Sequence, residues 1–300
     1  MIETNLYPSR CNVEPGLLKR KDPVYYGPPA SRASGARLSA RQIENYVENG
    51  FLFFKALFSP SEVAQYKAVL DRLRQDEGVR ADEESFLETD SHEVRSIFNI
   101  HRRDPVFREL ARDPRILQPV MTLLASPVYI HQSRVNYKPG FHGREFFWFS
   151  DFETWHVEDG MPRMRAISCS IVFTENDFYN GPLLLIPGSH QYFIPCLGET
   201  PPDHYKQSLR RQEYGVPDPE SLKRLMDRGG VYPACGPAGS MILFDCNIMH
   251  GSNRNISPWP RSNVFFVYNS VENYLEKPFG KQKQRPEYIA SRDFSPLRAD

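Results

Sequence analysis

The chain has 300 residues, 40% hydrophobic and 25% charged, and its 37 Lys+Arg balance its 37 Asp+Glu to a net charge of zero. That composition fits a soluble globular protein with a sizeable core, and it gives no electrostatic case for nucleic acid or an anionic membrane as partner. No apolar run reaches the ~18–20 residues of a membrane span, no signal-peptide pattern opens the chain, and five scattered cysteines with no Cys-x-x-Cys pair point to free thiols in a reducing cytoplasm.

Residues 1–38 are rich in Pro, Arg, Tyr and Gly without a sustained period, and read as an arm that lies on the body or is partly disordered. The stretch 39–50 opens on Ser39 and closes on Gly50, the pattern of a capped helix, and Phe51-Leu-Phe-Phe reads as a short buried strand. A second helix starts at Ser59-Pro60, with Val63, Tyr66, Val69, Leu70 and Leu73 at helical spacing. Residues 75–92 are acidic and polar and are expected as a surface excursion, and 104–124 as further helix. From Val128 the texture turns to short β-like runs at 128–132, 146–152, 166–174, 182–186, 240–244 and 263–268, with turn signals at Asn180-Gly181 and Pro187-Gly188. A charged, partly helical segment at 203–229 interrupts them. Helices first and strands later predict a mainly β fold with a barrel-like core and a helical buttress. The expected organisation is one domain over 1–300: an arm (1–38), a mainly helical part (39–127), a β core (128–275) and a C-terminal segment (276–300).

The chemistry concentrates in the run FFWFSDFETWH at 146–156 and in His250 about a hundred residues later. Non-haem Fe(II) oxygenases hold iron with two His and one carboxylate on one face, leaving open positions for cosubstrate and O₂. Two of those ligands come as His-x-Asp on a strand, because residues i and i+2 point the same way. Asp151 supplies the carboxylate and His250 the distal imidazole, while the position two before Asp151 is Phe149. On a strand 146–152, Phe147, Phe149 and Asp151 would share a face. Arg261, about ten residues after His250, reads either as a surface arginine or as the guanidinium with which such sites hold the distal carboxylate of 2-oxoglutarate, to which Ser252 could add a hydroxyl. His190 reads as structural. His131, His142 and His156 are the other nearby histidines; His156 is expected beyond the strand end rather than as a replacement ligand.

Taken together these segments resemble the ectoine hydroxylases, in the phytanoyl-CoA dioxygenase-like branch of the Fe(II)/2-oxoglutarate oxygenases. The resemblance covers 6–10, 93–98, 129–140, 146–162, 180–190, 198–201, 206–217, 243–253 and 276–280. The family signature is FxWHSDFETWH, which this chain matches except at Phe149, where the first iron-ligating His belongs. The resemblance implies a double-stranded β-helix (jelly roll, cupin-like) core, with Fe(II), 2-oxoglutarate and O₂ as cofactor and cosubstrates. It implies Asp151 and His250 as the remaining iron ligands, and Ser252 and Arg261 around 2-oxoglutarate with help from Asn136, Lys138 and Phe244. Ectoine would lie against Trp155 near Gln132, with Arg285 closing over its carboxylate. The implied reaction is hydroxylation of ectoine at C5 with conversion of 2-oxoglutarate to succinate and CO₂, the implied role is osmotic protection, and the implied assembly is a homodimer.

Phenylalanine has no lone pair, and its ring fills the space an imidazole would use. An engineered inactive variant, a natural pseudoenzyme and a retuned enzyme are all open on the sequence. So are two other readings: a non-catalytic protein that binds ectoine or a related osmolyte, and a hydroxylase of another small amino acid such as proline.

Overall fold

The computed structural model describes residues 5–11, 16–28, 38–88, 92–198, 200–201, 203, 205 and 215–298. Most of the 206–217 stretch of the family resemblance and parts of the 1–38 arm lie outside the described residues.

In chain order the elements are β1 (Leu18–Lys19), α1 (Ala40–Asn49), β2 (Phe51–Phe54), α2 (Pro60–Gln75), α3 (Glu77–Ala81), β3 (Ser85–Leu87) and β4 (Val94–Phe98). Then come α4 (Ile100–Arg103), α5 (Pro105–Leu110), α6 (Pro114–Leu124), β5 (Val128–Lys138), β6 (Phe146–Phe149) and α7 (Asp151–Thr154), which runs into a π-helical turn (Trp155–Asp159). The rest is β7 (Ala166–Val172), β8 (Leu183–Leu185), a 3₁₀ turn (Ser189–Gln191), β9 (Tyr192–Phe193), α8 (Pro219–Gly229), β10 (Tyr232–Pro233), β11 (Met241–Asp245), β12 (His250–Ser252) and β13 (Arg261–Ser270).

Two antiparallel sheets form the core. The larger has seven strands in the order β2-β11-β7-β13-β5-β4-β3, the smaller four in the order β10-β8-β12-β6. This is the jelly-roll architecture expected from the sequence. Strand side chains alternate between faces, and here the two faces of the large sheet have opposite characters. One face carries Val135, Cys169, Ile171, Leu243, Val264 and Phe266, which pack with Ile43, Val63, Leu70, Phe107, Leu117 and Val120 of the helices. Burying such side chains stabilises by about 1.5–3 kcal/mol each, which makes this the structural face. The other face looks toward the small sheet and carries the polar residues of the candidate site.

The helices begin where capping chemistry starts them. Ser39 and Ser59 each form a reciprocal capping box, with Gln42 and Glu62 respectively. Gly50 ends α1 in the left-handed region at φ 83°, and a Cβ there would sit 2.4 Å from His190 Nδ1. His190 itself is buried, with Nε2 3.1 Å from the Val47 carbonyl, the structural role expected of it.

Three expectations need correction. Residues 85–87 are not a surface excursion: β3 pairs with β4 and closes one edge of the large sheet. Phe86 is responsible, since it is buried against Phe98 and Ile289. The helical stretch 104–124 is two helices, because Asp113 precedes a proline, which disfavours helical backbone at Asp113, and then caps α6 by accepting from the Arg115 N–H at 2.8 Å. The strand expected over 146–152 stops at Phe149, and Asp151 opens α7. A register shift between His250 and Ser252 pairs His250 with Phe149 and Ser252 with Phe146. The i, i+2 rule therefore fails there, and Phe147 faces outward at 51% exposure while Phe146 and Phe149 face the interior cavity.

The N-terminal arm does lie on the body where it is described. β1 pairs with β9, Tyr7 is buried with its hydroxyl 2.9 Å from Asp22 Oδ2, and Arg10 is held by Glu153 at 2.7 Å and by Glu158.

Candidate active site

The site is one face of two neighbouring strands. β5 and β13 are paired so that Lys138 lies opposite Arg261, Asn136 opposite Asn263, Arg134 opposite Phe265 and Gln132 opposite Val267. Positions 132, 134, 136 and 138 all face the small sheet and all are polar. With Phe146, Phe149, Leu183, His250 and Ser252 from the small sheet, the lower part of this face lines a cavity of about 60 Å³.

At one end stand Lys138, Ser252 and Arg261. Lys138 Nζ donates to Ser252 Oγ at 2.9 Å and to the Asn253 carbonyl at 2.6 Å. Burial, aided by the neighbouring Arg261 and Arg95 charges, holds its pKa well below the usual lysine value. Arg261 is 6% exposed, donates from Nη1 to the Gly181 carbonyl, and leaves Nε without a partner among the described residues. Burial lowers its pKa to about 10. A buried cation with an unmade hydrogen bond is costly, and an anionic oxygen is the ligand that relieves it. Gly181 makes this end possible: its φ is +71°, and a Cβ would lie 2.3 Å from the Asn253 carbonyl and 3.1 Å from Lys138 Nζ. Asn136 Oδ1 accepts from Ser96 Oγ at 2.8 Å. Together these groups fit the distal carboxylate of a 2-oxo acid, with Arg261 and Lys138 to hold it and Ser252 to share a proton.

At the other end stand Asp151, His250 and Phe149. His250 Nδ1 lies 3.0 Å from the Ile248 carbonyl. A carbonyl only accepts, so Nδ1 carries the proton and the Nε2 lone pair is left for a ligand. Nε2 is 3.9 Å from Asp151 Oδ1, and the second Asp151 oxygen accepts from Ser168 Oγ at 3.1 Å. This is a two-donor site with its outer hydrogen bonds in place. Phe149 packs against the imidazole, its ring centroid 4.4 Å from that of His250. Phe244 backs the imidazole from another side at 5.2 Å. Among the described residues no three His, Cys, Asp or Glu side chains are grouped to hold a metal. The residues present therefore fit the 2-oxo acid, but they do not fit a complete three-ligand iron centre.

The model of the family described as Phytanoyl-CoA dioxygenase (PhyH) matches residues 46–263. The chain belongs to this family. It is 54% identical over 286 residues to an ectoine dioxygenase of Bordetella bronchiseptica, covering 95% of this chain and 92% of that one. The crystal structure of EctD from S. alaskensis with bound Fe matches at TM-score 0.87 and 45% identity, over 99% of this chain and 98% of that chain. The same protein with 2-oxoglutarate and 5-hydroxyectoine matches at TM-score 0.89, again over 99% and 98%.

The phytanoyl-CoA dioxygenase fold thus brings Asn136, Lys138, Phe149, His250, Ser252 and Arg261 to one cavity. The residues expected around the substrate lie further up the same strands and on the adjoining wall. Gln132 donates to the Ile289 carbonyl at 2.8 Å and accepts from Arg134 Nη1. Trp155 is buried, edge-on to His131 at 5.1 Å. Arg285 does not face open space in this structure: it grips Asp159 with two hydrogen bonds of 2.7 and 2.6 Å. That pair holds the Asp159 carboxyl below, and the Arg285 guanidinium above, its ordinary pKa. His156 is no ligand: it stacks on Phe279 at 3.9 Å, with Nδ1 2.8 Å from the Met161 carbonyl and Nε2 2.9 Å from Asn5 Oδ1. Burial lowers its pKa to about 4.

Sequence reasoning missed Arg134, Arg95, Asn263 and Asp159. For Arg134 a signal was present. Gln132, Arg134, Asn136 and Lys138 recur at period two, which marks a polar strand face, and a strand cut at 132 hides it.

Proposed function

We propose that this chain is an ectoine 5-hydroxylase in fold, cosubstrate site and substrate site, with turnover restricted at the metal by Phe149. Its activity is that of its family: ectoine, 2-oxoglutarate and O₂ give 5-hydroxyectoine, succinate and CO₂, with Fe(II) supplying the oxidising chemistry when bound. The reading rests on one observation above the others. The cation set of the carboxylate end is complete on a chain 54% identical to an ectoine dioxygenase along 95% of its length.

The chain's own residues divide the work. Arg261 and Lys138 bind and orient the cosubstrate carboxylate, and Ser252, which accepts from Lys138, donates its own hydroxyl hydrogen to that carboxylate. Gln132 and Arg134 offer donors to a carboxylate of the substrate, while Trp155 supplies an aromatic face for its delocalised cation. Arg285 reaches the substrate only by loosening its grip on Asp159. Asp151 Oδ1 and His250 Nε2 remain as donors for a metal.

Incubation with Fe(II), 2-oxoglutarate and ectoine in air, read by mass spectrometry, tests this. Slow or trace conversion by the chain as written and rapid conversion by Phe149→His are expected. A Phe149→His protein that binds 2-oxoglutarate yet leaves ectoine unchanged, or that hydroxylates proline in its place, would overturn it. Phe149 also favours a second reading, a metal-free ectoine-binding protein. Calorimetry with ectoine in the presence of a chelator separates the two, since only a binder keeps its affinity and produces no succinate.

A further inference from the structure

Arg95, on β4, is 3% exposed and belongs to none of the roles assigned above. Its Nη1 donates to Glu88 Oε1 at 2.7 Å, and its guanidinium carbon lies 4.0 Å from the Phe146 ring centroid. Its Nε and Nη2 have no hydrogen-bond partner among the described residues. Glu88 is equally buried, so one carboxylate satisfies one of the three guanidinium nitrogens and leaves two inside the protein. Burial pushes the Arg95 pKa down. A guanidinium in that position is disfavoured unless something anionic arrives.

The rest of the cavity wall has the same imbalance. Arg95, Arg134, Lys138 and Arg261 line it against one carboxylate, Glu88. With Arg134 turned to the substrate carboxylate, three cations against Glu88 leave two positive charges in excess, matching a dianion and not a zwitterion. Arg261 repeats the signature of Arg95, with its own Nε unbonded. The metal end of the cavity, by contrast, is short of a ligand at Phe149.

We propose that Arg95 is the third cation, with Lys138 and Arg261, of a dicarboxylate subsite that holds its ligand through charge alone and without a metal. The inference rests on the cosubstrate reading of Lys138 and Arg261 given above, and it extends that reading to a residue and a binding mode the reading does not contain. Because the metal end offers two donors, ligand affinity comes from the cationic end, and the 2-oxo group is dispensable for binding.

Titration calorimetry on the intact chain in EDTA tests this with three probes: 2-oxoglutarate, glutarate, which lacks the oxo group, and glutaramate, which lacks one charge. The two dicarboxylates are expected to bind within about threefold of each other, and glutaramate at least ~10-fold more weakly, the cost of one unmatched charged hydrogen bond. Arg95→Gln should weaken both dicarboxylates by about tenfold or more, and Arg95→Lys should recover part of the loss. Binding of 2-oxoglutarate that disappears in EDTA, or that glutarate cannot reproduce, would refute metal independence. Unchanged affinity in a folded Arg95→Gln protein would refute the role of Arg95. Should that variant fail to fold, Glu88→Gln serves instead: freeing Arg95 from its partner should tighten dicarboxylate binding, and unchanged or weaker binding counts against the proposal. None of these readouts uses ectoine or iron. Intact dicarboxylate binding beside a Phe149→His protein that cannot convert ectoine would break the functional reading and leave this one standing.

Discussion

The two ends of the cavity differ in the donor groups they present. At the cationic end every group is set: Lys138 on Ser252, Arg261 on Gly181, and the glycine conformation that lets them approach. At the end with His250 and Asp151 the supporting bonds run from His250 to Ile248 and from Ser168 to Asp151, and the phenyl ring of Phe149 packs against the imidazole. The supports are local backbone and strand contacts that do not depend on the identity of residue 149.

The largest effect should come from restoring the missing donor. Fe(II) titrated anaerobically with 2-oxoglutarate should give a weak charge-transfer band with the chain as written and a strong one with Phe149→His. The gain in iron affinity should exceed about 100-fold, since even an outer partner of a metal ligand is worth ~10–100-fold. His250→Ala in that variant should abolish the band again. Equal, tight iron binding by both proteins would erase the contrast between the two ends. At the cationic end, Arg261→Leu should cost about 2–5 kcal/mol, much of it from the unpaired carboxylate left behind, a loss of at least ~30-fold in 2-oxoglutarate affinity. Its effect should be the same with and without iron if the ends are independent.

A smaller effect follows from Lys138. Its neighbours Arg261 and Arg95 and its burial depress its pKa, while Glu88 and Glu145 oppose them only in part. A bound dianion favours the protonated form, so binding takes up a proton wherever the free pocket holds the neutral amine. Affinity for 2-oxoglutarate should then fall as pH rises, by up to about tenfold per pH unit. Calorimetry in buffers of different ionisation enthalpy should show the proton uptake, and Lys138→Met should remove it. An effect of similar slope lies on the wall that carries Trp155. His156 has its pKa lowered to about 4 by burial, so the unfolded chain binds the extra proton between that value and the ordinary histidine range. Stability should therefore be lost on acidification below about pH 6.5, by about 1.4 kcal/mol per pH unit. Thermal melts from pH 7.5 to 4.5 should show a shallower loss in His156→Gln.

Much of the fold was legible because it rests on local rules. Ser39 and Ser59 announced capped helices and Gly50 a stop. The apolar runs at 166–174, 240–244 and 263–268 announced buried strands, all of which are present within a few residues. Less legible was whatever depended on a partner. β3 is a strand because β4 lies beside it and Phe98 waits for Phe86; in sequence it is an acidic stretch. The end of β6 depends on the bulge against β12, and no periodicity encodes a register shift. Arg95 sits in the mixed run Val94–Phe98, and nothing in that run tells a buried cation from an outward one.

Sequence alone determined the residue types of the site. Asp151, His250, Lys138, Ser252 and Arg261 are the chemical groups an Fe(II)/2-oxoglutarate site uses, and Phe149 is the one that cannot serve, since donor capacity is a property of the side chain itself. Only the tertiary structure decided what each group is free to do. It left Arg261 and Arg95 with unbonded nitrogens, took Arg285 for Asp159 and turned the His250 lone pair toward Asp151. The availability of a buried charge depends on which neighbours have already satisfied it, and those neighbours come from strands and segments far apart in the chain.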